Sequence, residues 1–294
     1  MSLTTEHREK VVTRAIREIS HIATLPEITL KIIDLVENPD STAQDLHEVI
    51  SGDPALCSRI LKVVNSSFYG LPGQIGSINR AIMMLGLNAV KNIAIAASLA
   101  KLFRGGELTP NFSARDLWQH SNAVAAAAKM IADRRGFAFA DEAYLAGLMH
   151  DIGIMVEMQF DRAGLIEVIE QVGVDAHGNP KGNMLEVEEH TFEANHQDFG
   201  RALCERWKFP SAFASVAGHH HAPDQAPSEH EILTRVIAVA DRLAGQVGLG
   251  FRLDLASVDI DAGLCDPLGL TQADVEALVE QLHAVADDLD GTLH

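Results

Sequence analysis

The sequence is poor in features that define several common classes of protein. Its 294 residues contain three cysteines, Cys57, Cys204 and Cys265, which are odd in number, widely separated and without a C-x-x-C spacing. This pattern argues against a disulfide framework and against a cysteine zinc site. It fits a reducing compartment, and the charged residues close to the N-terminus argue against a signal peptide, so we expect a cytoplasmic protein.

Positive charge is also in short supply. The chain has 23 Lys plus Arg against 41 Asp plus Glu, which leaves a formal net charge of −18. Because non-specific nucleic-acid affinity comes mainly from Lys and Arg, we expect neither a broad DNA- or RNA-binding surface nor attraction to acidic membranes. The most apolar run, residues 89–103, is interrupted by Lys91 and Lys101, so no membrane span is expected.

Strand-like alternation of apolar residues is almost absent, and helical spacing takes its place. Ile28, Ile32, Leu35 and Val36 show the pattern. We therefore predict an all-α protein. The loop chemistry of residues 104–110 predicts a boundary between an N-terminal helical subdomain, residues 1–106, and a second helical subdomain, residues 107–294. In the second we expect helices at about 116–134, 141–158, 161–172, 195–206, 210–221, 229–247 and 271–289, with an exposed connection at 173–181.

Histidine, by contrast, is abundant, with 14 in the chain. The most specific local signal is His150-Asp151, an imidazole next to a carboxylate on an apolar helix. Neighbouring helical residues point about 100° apart, so the pair suits one metal bound by both groups, or a carboxylate that bridges to a second metal. The alternative is a solvated pair at a capped helix end, which is the more frequent situation for an isolated His-Asp dipeptide.

Three further features favour a site. His120 lies on an alanine-rich helix, whose small side chains permit close packing. Asp241 lies in an apolar stretch, where a buried carboxylate requires a cation or hydrogen-bond donors. The triplet 219–221 consists of histidines and precedes Ala222-Pro223. Each also has a simpler interpretation, namely a core histidine with a backbone partner, an aspartate turned to solvent, and a solvated loop.

Taken in order, His120, His150-Asp151 and Asp241 resemble the H…HD…D pattern of the HD-domain metal-dependent phosphohydrolases. The chain from about residue 20 to 245 also resembles the HDOD family, the HD-related output domain of bacterial signalling proteins. That resemblance implies an all-helical fold and a regulatory or scaffolding role with protein partners. It rests on motifs at Leu25-Pro26, Asn38-Pro39-Asp40-Ser41, Ile50 to Leu56, Asn65 to Gly70, Ala81 to Gly86, Gly200 to Pro210 and His220 to Pro223.

The second half also resembles the HD-GYP phosphodiesterases of cyclic di-GMP at every position where that family holds a dinuclear centre. Histidine and carboxylate donors without thiolate suit iron, manganese, zinc or nickel. Ala222-Pro223 favours His220 and His221 within the triplet, although His219 could equally face the site. The resemblance implies these metal ligands: His120, His150, Asp151, His196, His220, His221 and Asp241.

The chain departs from the HD-GYP pattern at two places. Ile154 replaces the lysine that usually follows the His-Asp-Ile-Gly turn, and residues 222–227 replace the glycine-rich GYP loop. Two hypotheses follow. The first is a non-catalytic signalling module that retains a metal site. The second is a metal-dependent phosphohydrolase of a nucleotide such as a cyclic dinucleotide, with Asp151 as the bridging ligand. Binding of a nucleotide without cleavage stays open.

The remaining polar residues are given smaller roles. His190 could contact a metal ligand without touching the metal, or act as an alternative ligand. A solvated acidic face with Glu188 and Glu189 is the stronger interpretation. Asn65-Ser66 is expected to hold a turn rather than to touch a ligand. No role is assigned to six histidines, His21, His47, His177, His230, His283 and His294.

Overall fold

The computed structural model of the chain describes residues 5–19, 25–38, 40–103, 107–176 and 178–290. Within these ranges the all-α prediction is confirmed, with one small exception. Strands β1 (Glu107–Thr109) and β2 (Phe112–Ser113) form an antiparallel hairpin immediately after the expected boundary. Residues 104–106 of that boundary, like Pro39, His21, His177 and His294, lie outside the described residues, and the division at 106 stays a prediction.

The N-terminal helices start at well-formed caps. Before the helix Ala43–Ser51, the side chain of Thr42 accepts a hydrogen bond from the backbone N–H of Asp45, and the Asp45 side chain accepts one from the backbone N–H of Thr42. The helix Pro54–Val64 begins with proline directly after its N-cap, Asp53. Asn65 holds the loop after that helix through Ile75, as expected for a structural turn. The helices are α1 (Thr5–Glu18), α2 (Glu27–Glu37), α3 (Ala43–Ser51), α4 (Pro54–Val64), α5 (Ile78–Leu85) and α6 (Leu87–Leu99).

The second half of the chain is a bundle built around a long alanine-rich helix. That helix, α7 (Ala114–Arg135), packs against α8 (Ala140–Met149) and α14 (Glu231–Val247). A second group consists of α12 (His196–Arg206), which packs against α9 (Ile152–Phe160) and α13 (Ser211–His219). Gly147 shows how close the first of these contacts is, because a Cβ there would lie 2.8 Å from Ala125 Cα. The helices are α7 (Ala114–Arg135), α8 (Ala140–Met149), α9 (Ile152–Phe160), α10 (Arg162–Val172), α11 (Met184–Phe192), α12 (His196–Arg206), α13 (Ser211–His219), α14 (Glu231–Val247), α15 (Ala262–Cys265) and α16 (Gln272–Asp290).

Two helix predictions need correction. The helix expected over 141–158 is interrupted after Met149: His150 is the C-cap of α8 and Asp151 is the N-cap of α9. The pair therefore lies in a break between helices, where both side chains can turn toward the same point. The second correction is α11, which was not predicted because acidic residues hide its apolar face. The 173–181 connection is present and is closed by a bridge between Val174 and Pro180.

Helix α1 lies against α9 and α12 of the second half. Arg8 of α1 forms ion pairs with Glu189 of α11 at 2.9 Å and with Asp198 of α12 at 3.1 Å. Among the described residues, no helix combines the length and the apolar character needed to cross a bilayer.

Candidate metal centre

Seven side chains from six helices and their ends converge on one buried point. His120 lies in the second turn of α7, and Asp241 lies within α14. The others stand at helix ends, where the chain changes direction: His150 and Asp151 at the α8–α9 break, His196 at the start of α12, and His220 and His221 directly after α13. All seven residues predicted from the sequence are thus brought together in the fold.

Asp151 occupies the middle of this group. Its Oδ2 atom is 3.2 Å from His150 Nε2 and 3.9 Å from His120 Nε2. Its Oδ1 atom is 3.3 Å from His220 Nε2 and 3.7 Å from His196 Nε2. One oxygen therefore faces each side of the cluster, which is the arrangement that a bridging carboxylate requires.

The donors on the two sides of Asp151 form two groups. Site A contains His120, His150 and Asp241, and site B contains His196, His220 and His221 together with Asp151; within each group the donor atoms lie within 4.8 Å of one another. Two donors about 2.1 Å from an ion and at right angles lie about 3.0 Å apart. His120 Nε2 and Asp241 Oδ1 are 3.1 Å apart, and so are the Nε2 atoms of His196 and His221. The spacing fits one ion in each site.

The hydrogen bonds behind the cluster set the histidine tautomers. His150 Nδ1 lies 2.7 Å from the carbonyl of Gly147, and His196 Nδ1 lies 2.8 Å from a carboxylate oxygen of Glu188. His220 Nδ1 lies 3.2 Å from the carbonyl of Val216. When Nδ1 donates to these acceptors, Nε2 keeps its lone pair and points it into the cluster.

Many polar atoms of the cluster are buried without a hydrogen bond among the described residues. They include both carboxylate oxygens of Asp151 and Asp241 and the Nε2 atoms of His120, His150 and His220. Leaving such groups unsatisfied costs about 1–3 kcal/mol each, and more for charged groups. Divalent cations would satisfy them together, so the donor set fits metal ions.

The charges of the cluster shift the pKa values of its histidines strongly in the metal-free chain. Burial lowers the pKa of His150, but the Asp151 carboxylate outweighs burial and raises the value to about 9. Glu188 does the same for His196, whose pKa also rises to about 9. Burial and then the neighbouring His220 and His196 hold the pKa of His221 well below its usual range.

The carboxylates of the cluster are shifted in opposite directions. Burial raises the pKa of Asp151, but the neighbouring imidazoles, first His150 and then His220, bring it well below the usual range. Burial, reinforced by Asp151 and Asp241, raises the pKa of Asp254 well above its usual range. Burial and then Glu188 likewise raise the pKa of Glu157.

Three carboxylates at the site were not predicted from the sequence. Glu188 accepts hydrogen bonds from the ring and the backbone of His196, and Glu157 lies beside Glu188. Asp254 faces the cluster from the segment after α14. Leu253 and Leu255 flank Asp254, and apolar neighbours are the signal that identified Asp241, so this residue could have been found.

The other histidines lie elsewhere in the described part of the chain. His219 turns its Nδ1 to the carbonyl of Ser215 and joins neither site, and His190 is exposed. His230 pairs with Ser211, and His283 is exposed on α16.

A close contact between backbones fixes the geometry of site B. Gly153, in the first turn of α9, lies so near the start of α12 that a Cβ there would be 1.8 Å from the carbonyl oxygen of His196. The glycine of the His-Asp-Ile-Gly turn therefore allows Asp151 and His196 to approach each other.

Comparison with known proteins agrees with the observed fold. The HDOD domain family matches residues 22–223, more than half of the chain. The chain belongs to the HDOD family. An uncharacterized protein of Treponema pallidum is 27% identical over 224 residues, which are 76% of this chain; the chain spans only 42% of that protein's length.

Two solved structures share the architecture of this HDOD chain over nearly its whole length. An HDOD domain protein with unknown function from Geobacter sulfurreducens has 25% identity and a TM-score of 0.78, covering 99% of this chain and 98% of that one. A provisionally named phosphohydrolase from Shewanella amazonensis has 22% identity and a TM-score of 0.74, covering 97% and 98%. At 22% identity, the similarity to this second structure shows a shared fold alone.

The surroundings of the HDOD centre contain few groups that could hold a phosphate. Ile154 is fully buried in α9, and residues 223–225 form a short turn of 3-10 helix after the histidine triplet. Neither Ile154 nor residues 222–227 offers a cation to a phosphate oxygen.

Proposed function

We propose that this HDOD chain is a non-catalytic signalling module that holds divalent metal ions in a closed centre and acts through protein partners in a bacterial regulatory pathway. The observation that carries this proposal is burial. Six of the seven ligand side chains have no exposed surface, and His221 exposes 10% of its side chain. A phosphodiester therefore meets very little exposed surface of the ligands.

The donor set defines what the centre would hold. His120, His150 and Asp241 would bind one ion, His196, His220 and His221 a second, and Asp151 would contact both. Imidazole and carboxylate donors suit iron, manganese, zinc or nickel. Since the donors come from six helices, the free energy of metal binding would add to the stability of the packed bundle.

Exposed apolar side chains support the partner half of the proposal. Met83 and Met84, neighbours on α5, are 78% and 44% exposed, and Leu30 on α2 is 41% exposed. Methionine is flexible and polarizable, and proteins that bind varied partners use it at their contact surfaces. These residues belong to the N-terminal helices rather than to the metal centre.

The geometry of Asp151 favours a second candidate function, a metal-dependent phosphohydrolase acting on a nucleotide. In such enzymes two bound ions lower the pKa of a shared water and neutralise charge that develops on the phosphoryl group. Here Asp151 would hold the two sites in register, and Glu188 would fix the tautomer and orientation of His196. Against this candidate stand the closed site and the buried Ile154.

An assay of the metal-loaded full chain decides between the two. We expect no turnover of cyclic di-GMP or of bis(4-nitrophenyl) phosphate above that of Asp151→Ala, while metal analysis finds stoichiometric metal in the wild type and less in the variant. Turnover that disappears in Asp151→Ala would establish the phosphohydrolase instead. If the wild-type chain takes up no metal, neither candidate function can involve a metal centre.

A further inference from the structure

The segment that follows α14 returns across the start of α7. Gly250 adopts a φ of +73°, and a Cβ there would lie 2.2 Å from the carbonyl oxygen of Asp116 and 2.5 Å from the backbone nitrogen of His120. The next residue, Phe251, donates its backbone N–H to the same Asp116 carbonyl at 3.0 Å. Its ring packs edge-on against Phe112 at 5.2 Å between centroids. The segment is thus fixed directly beside a ligand of site A.

This placement buries Asp254 against the metal centre. The residue is 3% exposed, its neighbours Leu253 and Leu255 are equally buried, and neither of its carboxylate oxygens has a hydrogen bond among the described residues. Asp254 Oδ2 lies 3.7 Å from His221 Nε2.

The Asp254 carboxylate is close to donors of both sites. It groups with His120 and Asp151 within 4.8 Å, and within the same limit it groups with His221 and Asp241. Asp151 likewise lies between donors of the two sites. A second carboxylate in such a position, without a hydrogen-bond donor, has the properties of a ligand rather than of a core residue.

We propose that Asp254 is a further metal ligand, which contacts both site A and site B and closes the centre from the segment after α14. This inference rests on the metal centre of the proposed function and adds a ligand to it. Asp254 lies beyond residues 22–223, the part of the chain that matches the HDOD family.

The charge of the centre explains what such a ligand does. Two divalent ions bring four positive charges, of which Asp151 and Asp241 offset two and Asp254 a third. The residual charge falls from two to one, and the positions that Asp254 takes on the ions are lost to other oxygen ligands. A centre with this ligand binds its ions more firmly and attracts an anionic phosphate less.

The test compares Asp254→Asn with Asp259→Asn in the full chain. Both remove a carboxylate from the segment after α14 with little change of shape, but Asp259 is exposed. The metal-free proteins are titrated with Mn²⁺ by calorimetry, and retained Mn²⁺ is measured after dialysis. Changes in the groups around a bound metal weaken it about 10- to 100-fold, so we expect Asp254→Asn to bind at least one ion about tenfold more weakly. Asp259→Asn should match the wild type, and Asp254→Glu should recover part of the affinity.

Melting temperatures separate a ligand from a residue needed only for folding. Without metal, Asp254→Asn removes a buried carboxylate that lacks a partner, so we expect its Tm to equal or exceed that of the wild type. With Mn²⁺ its Tm should fall below the wild type.

Two results would overturn the assignment. One is Mn²⁺ affinity in Asp254→Asn equal to that of the wild type and Asp259→Asn, whatever its Tm. The other is an equal loss of Tm with and without metal. Either result leaves the seven-ligand centre of the proposed function unaffected. A wild-type chain that binds no Mn²⁺, iron, zinc or nickel would contradict both that centre and the assignment of Asp254.

Discussion

Gly153 determines how closely Asp151 and His196 can approach each other. The atoms that a Cβ would meet there are the carbonyl oxygen of His196 at 1.8 Å and the backbone nitrogen of Gly200 at 2.8 Å. Backbone atoms cannot rotate away as a side chain can, so any larger residue must push α9 and α12 apart. The glycine is therefore a requirement of the metal centre as well as of the packing.

We predict that Gly153→Ala lowers the free energy of unfolding by about 1–3 kcal/mol or more, the usual range for overpacking. The same displacement moves Asp151 away from His196, so Mn²⁺ binding should weaken as well. Denaturant unfolding and calorimetric titration measure the two effects. Gly76→Ala is the control, because a Cβ at Gly76 meets nothing within 4 Å. Equal stability and equal Mn²⁺ affinity in the two variants would contradict the prediction.

The residues of the site differ in how visible they are in the sequence. His150 and Asp151 stand out because their neighbours are apolar, and Asp241 stands out for the same reason. Asp254 carries this signal too, but its approach to His120 depends on the turn at Gly250, which brings the segment back across α7. Such a return is a tertiary event that local periodicity does not encode.

At the scale of helices, periodicity predicted most of the second half. The helices expected at 195–206 and 229–247 begin within about two residues of α12 and α14. The break between α8 and α9 was not predicted, because the apolar pattern runs through His150 and Asp151 without interruption. The spacing of apolar residues predicts that an element is helical. The position of a break at a site depends instead on the tertiary contacts that its side chains make.

Helix α1 stabilises the start of α12 from outside. Arg8 pairs with Glu189 and Asp198, and these two carboxylates also accept hydrogen bonds from the side chain and the backbone of Asn195, the residue that caps α12. His196 is the next residue. The ion pairs of Arg8 thus support the position of one proposed metal ligand.

We predict that Arg8→Gln speeds hydrogen exchange in α1 and in the first turn of α12. The Arg8 side chain is 29% exposed, so the ion pairs contribute at most about 1 kcal/mol and exchange should accelerate up to about fivefold. Arg17→Gln, an exposed position in the last turn of the same helix, is the control. Exchange that is the same in both variants would show that Arg8 does not hold the two helices together.

At the scale of the whole molecule, the metal centre joins most of the second half of the chain. Its proposed ligands come from α7, α14 and the ends of α8, α9, α12 and α13. Without metal, the buried charges of these ligands must be balanced by protons on histidine. Bound metal ions and bound protons can therefore each neutralise the charge of the same cluster. Metal binding should raise the stability of the bundle, whereas a rise in pH should lower the stability of the metal-free bundle.

We predict that the Tm of the metal-free chain falls as pH rises from about 6.5 to about 9. His150 and His196 have ordinary pKa values near 6.5 that rise to about 9 in the folded chain. A raised pKa means that the folded state holds the proton more tightly, so the stabilisation is complete below about pH 6.5 and is lost as pH rises through 9. Metal ions compete with protons for Nε2, so Mn²⁺ affinity rises with pH over the same interval.

Melting curves at about pH 6, 7 and 8.5, in EDTA and in excess Mn²⁺, should show a gap in Tm that widens with pH. His196→Gln should reduce the slope in EDTA, whereas His283→Gln, an exposed histidine on α16, should leave it unchanged. A gap that narrows as pH rises would show that the cluster does not exchange protons for metal.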